Sequence, residues 1–225
     1  MRSNVYRVLF VAGLSAFLFT NFASAIQGAD SEVRIFSVTV DGKSAGTYKM
    51  AIRIEDNGRE TIAAVATVKV KVGLFSYTYE HQCLEVWMGM RLTAVDSSTN
   101  DDGKKHTVKA VAAGPGLFVT VNGKERKGRS DVVSTTGWRY PGIVEKPRDV
   151  IVFDTEDGSE TAAKIEALTP VRLTVNGKAI EAHRFRLTGK EIDTLWMYDD
   201  AHRPVRQEMK WDGHKVVLEL TEIAR

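Results

Sequence analysis

Residues 47–72 read TYKMAIRIEDNGRETIAAVATVKVKV, and this stretch decides the fold class. From Tyr48 to Glu55 the even positions are apolar and the odd ones mostly polar. Beyond Asn57-Gly58, Ile62, Ala64, Ala66, Val68, Val70 and Val72 keep one face, while Thr61, Thr67, Lys69 and Lys71 occupy the other. A period of two with one apolar side marks antiparallel strands with one face buried. A two-residue type I′ turn needs positive φ at both central positions, which Asn or Asp followed by Gly tolerates best.

The same punctuation runs through the chain. It recurs at Asp41-Gly42, Asp102-Gly103, Asn122-Gly123, Asp157-Gly158, Asn176-Gly177 and Asp212-Gly213. The uneven intervals argue against a true repeat architecture. Near the end Val216, Leu218 and Leu220 alternate with Lys215, Glu219 and Thr221. These signals predict roughly ten to twelve strands by the hairpin criteria. Glu160–Leu168 (ETAAKIEAL) reads equally as a helix or a strand. The fold class expected is all-β with few short helices at most. With so little helix to cover it, an antiparallel sheet must curve strongly into a barrel or half-barrel around its own apolar face, leaving room for a guest.

The N-terminus carries an export signal. Arg2 and Arg7 precede the mostly apolar run Val8–Phe22, and Ala23-Ser24-Ala25 is a small-x-small cleavage site. The run is too short and too interrupted for a membrane span of about 20 apolar residues. Residues 1–25 are therefore expected to be a cleaved signal peptide, and 26–225 a single antiparallel β domain. The product is expected to be soluble in the periplasm or outside the cell. Residues 1–25 hold two arginines and no acidic residue, so the 31 basic residues fall to 29, equal to the 29 acidic ones. That balance, with no block of one sign, excludes the basic footprint of a nucleic-acid binder. Lys124–Lys127 (KERK) is mixed in charge and reads as a solvated turn. Cys83 is the only cysteine, so no intramolecular disulfide braces the fold.

Three places are candidates for chemistry or binding. Strand alternation puts Phe75, Tyr77, Tyr79, His81, Cys83, Glu85 and Trp87 on one face. His, Cys and Glu at i, i+2 and i+4 suggest a zinc site or a Cys83–His81 nucleophile, but extended spacing spreads the three over about 13 Å, so a packing or cavity-lining stripe is the better reading. Gly128–Asp149 breaks the alternation and carries Trp138 and Tyr140; it is an irregular crossover or a lid over a barrel mouth. Asp199-Asp200-Ala201-His202 matches no metal motif and reads as a turn between a strand ending at Tyr198 and one starting at Pro204. Ligand-binding candidates are thus Tyr77, Tyr79, Trp87, Trp138, Tyr140 and Trp196. No catalytic residue, metal or cofactor is assigned.

The two ends of the chain carry a resemblance. In AHRFRLTGKEIDTLWMYDDAHRPVRQEMKWDGHKVVLELTEI (182–223), Phe185, Leu187 and Gly189 fit a Tyr-x-Leu-x-Gly pattern. Asp193, Trp196, Tyr198 and Asp199 fit Asp-x-x-Trp-Tyr-Asp with Met197 inserted, and FSVTVDGKSAGTYKMAI (36–52) fits the opening hairpin. These segments resemble an uncharacterised family of exported bacterial β-proteins, similar in expected architecture to lipoprotein-carrier half-barrels. The resemblance implies an apolar or lipid ligand at the cell envelope. The rolled sheet, the aromatic face and the missing enzyme motifs make the expected function an exported protein that binds an apolar or lipid-like molecule, or an envelope partner, without chemistry. A hydrolase using acidic residues or Cys83–His81, and a structural envelope module that binds another protein, are the alternatives.

Overall fold

The computed structural model describes residues 30–72, 75–175 and 177–224. The leader read at residues 1–25 lies outside them, as does Asn176 of one expected turn. The described residues form fifteen strands in one sheet, and none is helical. The first arm is a meander of β1 (Asp30–Val40), β2 (Lys43–Ile54), β3 (Arg59–Val72), β4 (Phe75–Met88), β5 (Arg91–Asp101), β6 (Lys104–Ala113), β7 (Gly116–Val121) and β8 (Lys124–Arg129). The second arm holds β9 (Val133–Ser134), β10 (Arg148–Phe153), β11 (Glu160–Val175), β12 (Lys178–Gly189), β13 (Ile192–Tyr198), β14 (Pro204–Trp211) and β15 (His214–Ala224). The order is β8-β7-β6-β5-β4-β3-β2-β1-β15-β14-β13-β12-β11-β10-β9, so the arms join where β1 pairs with β15.

Turn chemistry builds this meander. Asp41, Asp102, Asn122 and Asp212 all take φ near +48°, each followed by a glycine at positive φ, the backbone a type I′ turn requires. The segment with two readings, 160–168, is strand: Ala163 and Ile165 are buried between exposed Ala162 and Lys164. Lys124–Lys127 is likewise strand, not a turn, because the reversal is made one step earlier by Asn122-Gly123. Gly46 on β2 is required for another reason: a Cβ there would sit 1.9 Å from the Thr67 carbonyl oxygen.

The sheet does not close edge to edge; it rolls past itself. Successive residues of a strand face opposite sides. On β10, Val150 and Val152 pack with Ile165, Phe185, Leu187 and Trp196. Phe153, on the other side of the same strand, joins the cluster that holds Val108, Leu117 and Val119 of β6 and β7, and Ile151 packs against that cluster. β10 therefore slides beneath the far arm, and β8 is left as the outer edge. The roll is tight enough that Trp211 on β14 meets Tyr77 on β4 at 5.2 Å between ring centroids, although four strands separate them in the sheet.

Candidate functional site

Alternation on β4 turns His81, Cys83, Glu85 and Trp87 into the roll, all at most 5 % exposed. The expected room for a guest is filled there by two segments of the chain itself. The first is 130–140, the heart of the region read as crossover or lid; it enters the lumen instead of capping a mouth. Its Ser134 Oγ and Thr136 Oγ1 donate to the Glu85 carboxylate at 3.0 and 2.7 Å. Trp138 Nε1 donates to the same carboxylate at 3.1 Å, and Trp87 Nε1 from β4 itself at 2.7 Å. Burial raises the Glu85 pKa, while these four donors pull it back down. Around this node Trp87 and Trp138 meet edge to face at 6.3 Å. The Arg139 guanidinium lies over both rings and pairs with Glu60 at 3.2 Å. Tyr198 Oη and Gln207 Nε2 donate to the carbonyls of Gly137 and Thr136, which tie the segment to β13 and β14. Gly137 (φ +59°) permits that approach, since a Cβ there would stand 2.5 Å from Trp196 Nε1.

The second inward segment is Asp154–Ser159, between β10 and β11. Thr155 is 1 % exposed; its carbonyl accepts from Ser97, and its hydroxyl lies 3.4 Å from His81 Nε2. His81 Nδ1 faces Thr99 Oγ1 at 2.9 Å. Both imidazole nitrogens are thus engaged by threonines, and burial lowers the His81 pKa to about 4. The Cys83 thiol, 4.0 Å from Glu85, is pushed up by burial and then by the Glu85 charge. A high thiol pKa together with a neutral, threonine-bound histidine is the opposite of what an activated nucleophile needs. Among the described residues, no group of three or more His, Cys, Asp or Glu side chains is placed to hold a metal ion.

Glu156 of the same segment accepts a hydrogen bond from Tyr79 Oη, and burial, then the neighbouring Asp154, pushes its pKa up to about 7. This sets two opposed titrations. Glu156 is more readily protonated folded than unfolded (ordinary value 4.5), so its stabilising contribution is complete below that value and is lost as pH rises to about 7. His81 falls from 6.5 to about 4, so its contribution is complete above 6.5 and is lost as pH falls towards 4. Each is worth about 3 kcal/mol over its window. The two oppose each other between the shared limits, and the raised carboxyls of Glu85 and Asp154 also oppose the histidine, so Glu156→Gln set against wild type isolates Glu156. Relative to wild type, its stability in urea melts is expected to gain about 3 kcal/mol between pH 4.5 and 7; curves that run parallel would remove the assignment.

The six aromatic candidates separate into different surroundings. Trp87 and Trp138 are at the Glu85 node, and Trp196 is buried beside them with its Nε1 unpartnered. Tyr77 and Tyr79 cluster with half-exposed Trp211 at the end of the roll, Tyr77 Oη donating to Asp101 at 2.6 Å. Tyr140 stacks on His202 at 3.9 Å and meets Phe185 and Tyr198 edge to face. The Asp199-Asp200-Ala201-His202 stretch is a turn: Asp199 bonds Arg203 through backbone and side chain, and it also receives buried Arg34 at 2.8 Å.

Sequence reading missed the surface that remains open. Where β8 overlaps the second arm, a groove of about 440 Å³ is lined by Arg129, Asp149, Val150, Ile151, Ala162, Ala163 and Thr188. A second cavity, beside Trp87, Gly137 and Trp196, holds about 30 Å³, room for one water. Arg126 and Glu160 brace the groove's end at 3.1 Å, and the Arg129 amide also donates to Glu160 at 3.1 Å.

An all-β sheet rolled past closure around an inserted segment of its own chain defines a barrel-like protein with a filled lumen. The chain belongs to the family described as a domain of unknown function, DUF6134, whose model matches residues 36–221. Comparison with curated proteins finds no match. Among solved structures, the chain is similar to a beta-barrel-like protein of domain of unknown function DUF1849 from Brucella abortus. The identity is 11 %, the TM-score 0.65, and 87 % of this chain and 98 % of the other are covered. At that identity the likeness establishes the shared fold alone.

Proposed function

We propose that this protein is exported to the cell envelope and acts there as a binding module without chemistry. Its recognition surface is the groove beside β8, and its lumen is structural. The leader-like N-terminus supports export. What supports the binding reading is a groove of about 440 Å³ whose floor carries Ile151 and Ala162, whereas the aromatic interior is occupied by Trp138 and its neighbours. Pockets for small guests commonly span about 300–1,000 Å³ and combine an apolar floor with a few polar groups, here Arg129, Asp149 and Thr188.

Native mass spectrometry of protein purified from its own host tests this. Ala162 is exposed on the groove floor, so Ala162→Trp fills the groove without entering the core. The wild type is expected to carry an added mass that the variant lacks. Bare protein in both preparations, or the same added mass in both, would contradict the reading.

A further inference from the structure

We propose that β8 is a docking edge for an extended peptide segment that alternates acidic and apolar residues, lies in the groove and adds a sixteenth strand to the sheet. The proposal rests on the groove being the binding surface and identifies its occupant. The Asn122-Gly123 turn pairs Val121 with Lys124. Across a two-residue hairpin that pair exchanges both backbone bonds, so Lys124, Arg126 and Gly128 bond to β7. Glu125, Lys127 and Arg129 then direct their N–H and C=O groups away from the sheet. Two of these groups are occupied by side chains of the chain itself: the Arg129 amide donates to Glu160, and the Lys127 carbonyl accepts Arg126 Nη1 at 3.1 Å. An arriving strand offers the same partners from its own backbone. The floor of the groove would receive one of its faces on Ile151 and Ala162.

The side chains choose among occupants. Glu125, Lys127 and Arg129 stand exposed on the outer face, where Lys127 neighbours Phe118, which in turn neighbours Val111. Phe118 and Val111 are 56 % and 62 % exposed. The strand itself holds four basic residues against Glu125. Arg126 is bound to Glu160, Arg129 also pairs with Asp131, and Asp149 is the carboxylate on the groove lining. A second copy of β8 would bring like charge against like, the usual protection of an open edge. An acyl chain would leave the edge amides and carbonyls unanswered. An acidic, alternately apolar strand meets Lys127 and Arg129 with its carboxylates and satisfies the backbone as well.

The test uses the folded protein and a fluorescein-labelled (Glu-Val)4 peptide, read by anisotropy, with (Lys-Val)4 and a (Glu-Val)4 N-methylated on alternate residues as controls. Saturable binding of (Glu-Val)4 alone is expected. Exposed Lys127→Glu should weaken it about tenfold or more and admit (Lys-Val)4 in its place. Equal binding of both peptides, indifference to N-methylation, or no effect of Lys127→Glu would overturn the proposal. A host-derived guest lost on Ala162→Trp, combined with no peptide binding, overturns the strand and leaves the groove standing. Absence of both guest and peptide binding overturns the two together.

Discussion

Glu85→Ala is expected to lower stability by about 5 kcal/mol, as an interior carboxylate whose removal orphans several donors. Glu85 is 0 % exposed and takes hydrogen bonds from Trp87, Ser134, Thr136 and Trp138. Alanine leaves those four donors facing a void, each costing about 1–3 kcal/mol unless water enters. Glu85→Gln keeps the shape and one acceptor oxygen but presents an amide donor to donors, and should cost about 2 kcal/mol. Urea melts of the three proteins check the order. Alanine within 1 kcal/mol of wild type would show that 134–138 is not anchored on Glu85. The same pair of variants separates structure from chemistry: a carboxylate kept for packing is missed in stability first.

Trp138→Ala is the second large effect, about 4 kcal/mol, in the range for a buried aromatic truncated to alanine. The variant loses the indole packed against Trp87, its bond to Glu85 and its contact with Arg139 at 5.5 Å. It also leaves an indole-shaped cavity lined by the Trp87 ring and by the Glu85 carboxylate that the indole N–H had bonded, so a guest that fits must be flat, apolar and carry one N–H donor. Free indole should therefore bind the variant and raise its melting temperature, while leaving the wild type unchanged. Trp211→Ala serves as contrast: at 40 % exposure it should cost less than Trp138→Ala and open no enclosed cavity. Indole that stabilises both proteins equally would mean that the lumen was never full.

What could be read in the chain was local. The Asp-Gly and Asn-Gly pairs announce reversals because only a few residues accept their backbone, and Asp41, Asp102, Asn122 and Asp212 adopt it with their glycines. Alternation on β4 placed His81, Cys83, Glu85 and Trp87 on one face, and they share it. The strand count fell short of fifteen, and the two-residue β9, inside the stretch that breaks the alternation, is too short to register by period. Residues 130–147 carry no periodicity since their partners are scattered: Trp138 answers Glu85, Gln207 answers Thr136, and Tyr140 answers His202. No spacing rule connects positions that far apart. The groove was illegible for a further reason. Ile151, Ala162 and Thr188 become neighbours of Arg129 only because the sheet overlaps itself, and the extent of a roll follows from accumulated twist across many strands, not from the residues it brings together.

Hydrogen–deuterium exchange tests the filled lumen most directly. The amides of Thr135 and Gly137, bonded to Phe153 and Ser134, and that of Leu92, bonded to Ser130, should exchange as slowly as those of β3 and β4, on opening of the whole fold. Fast exchange at Thr135 and Gly137 while β3 and β4 remain protected would make 130–140 a movable flap over an open cavity and contradict the account.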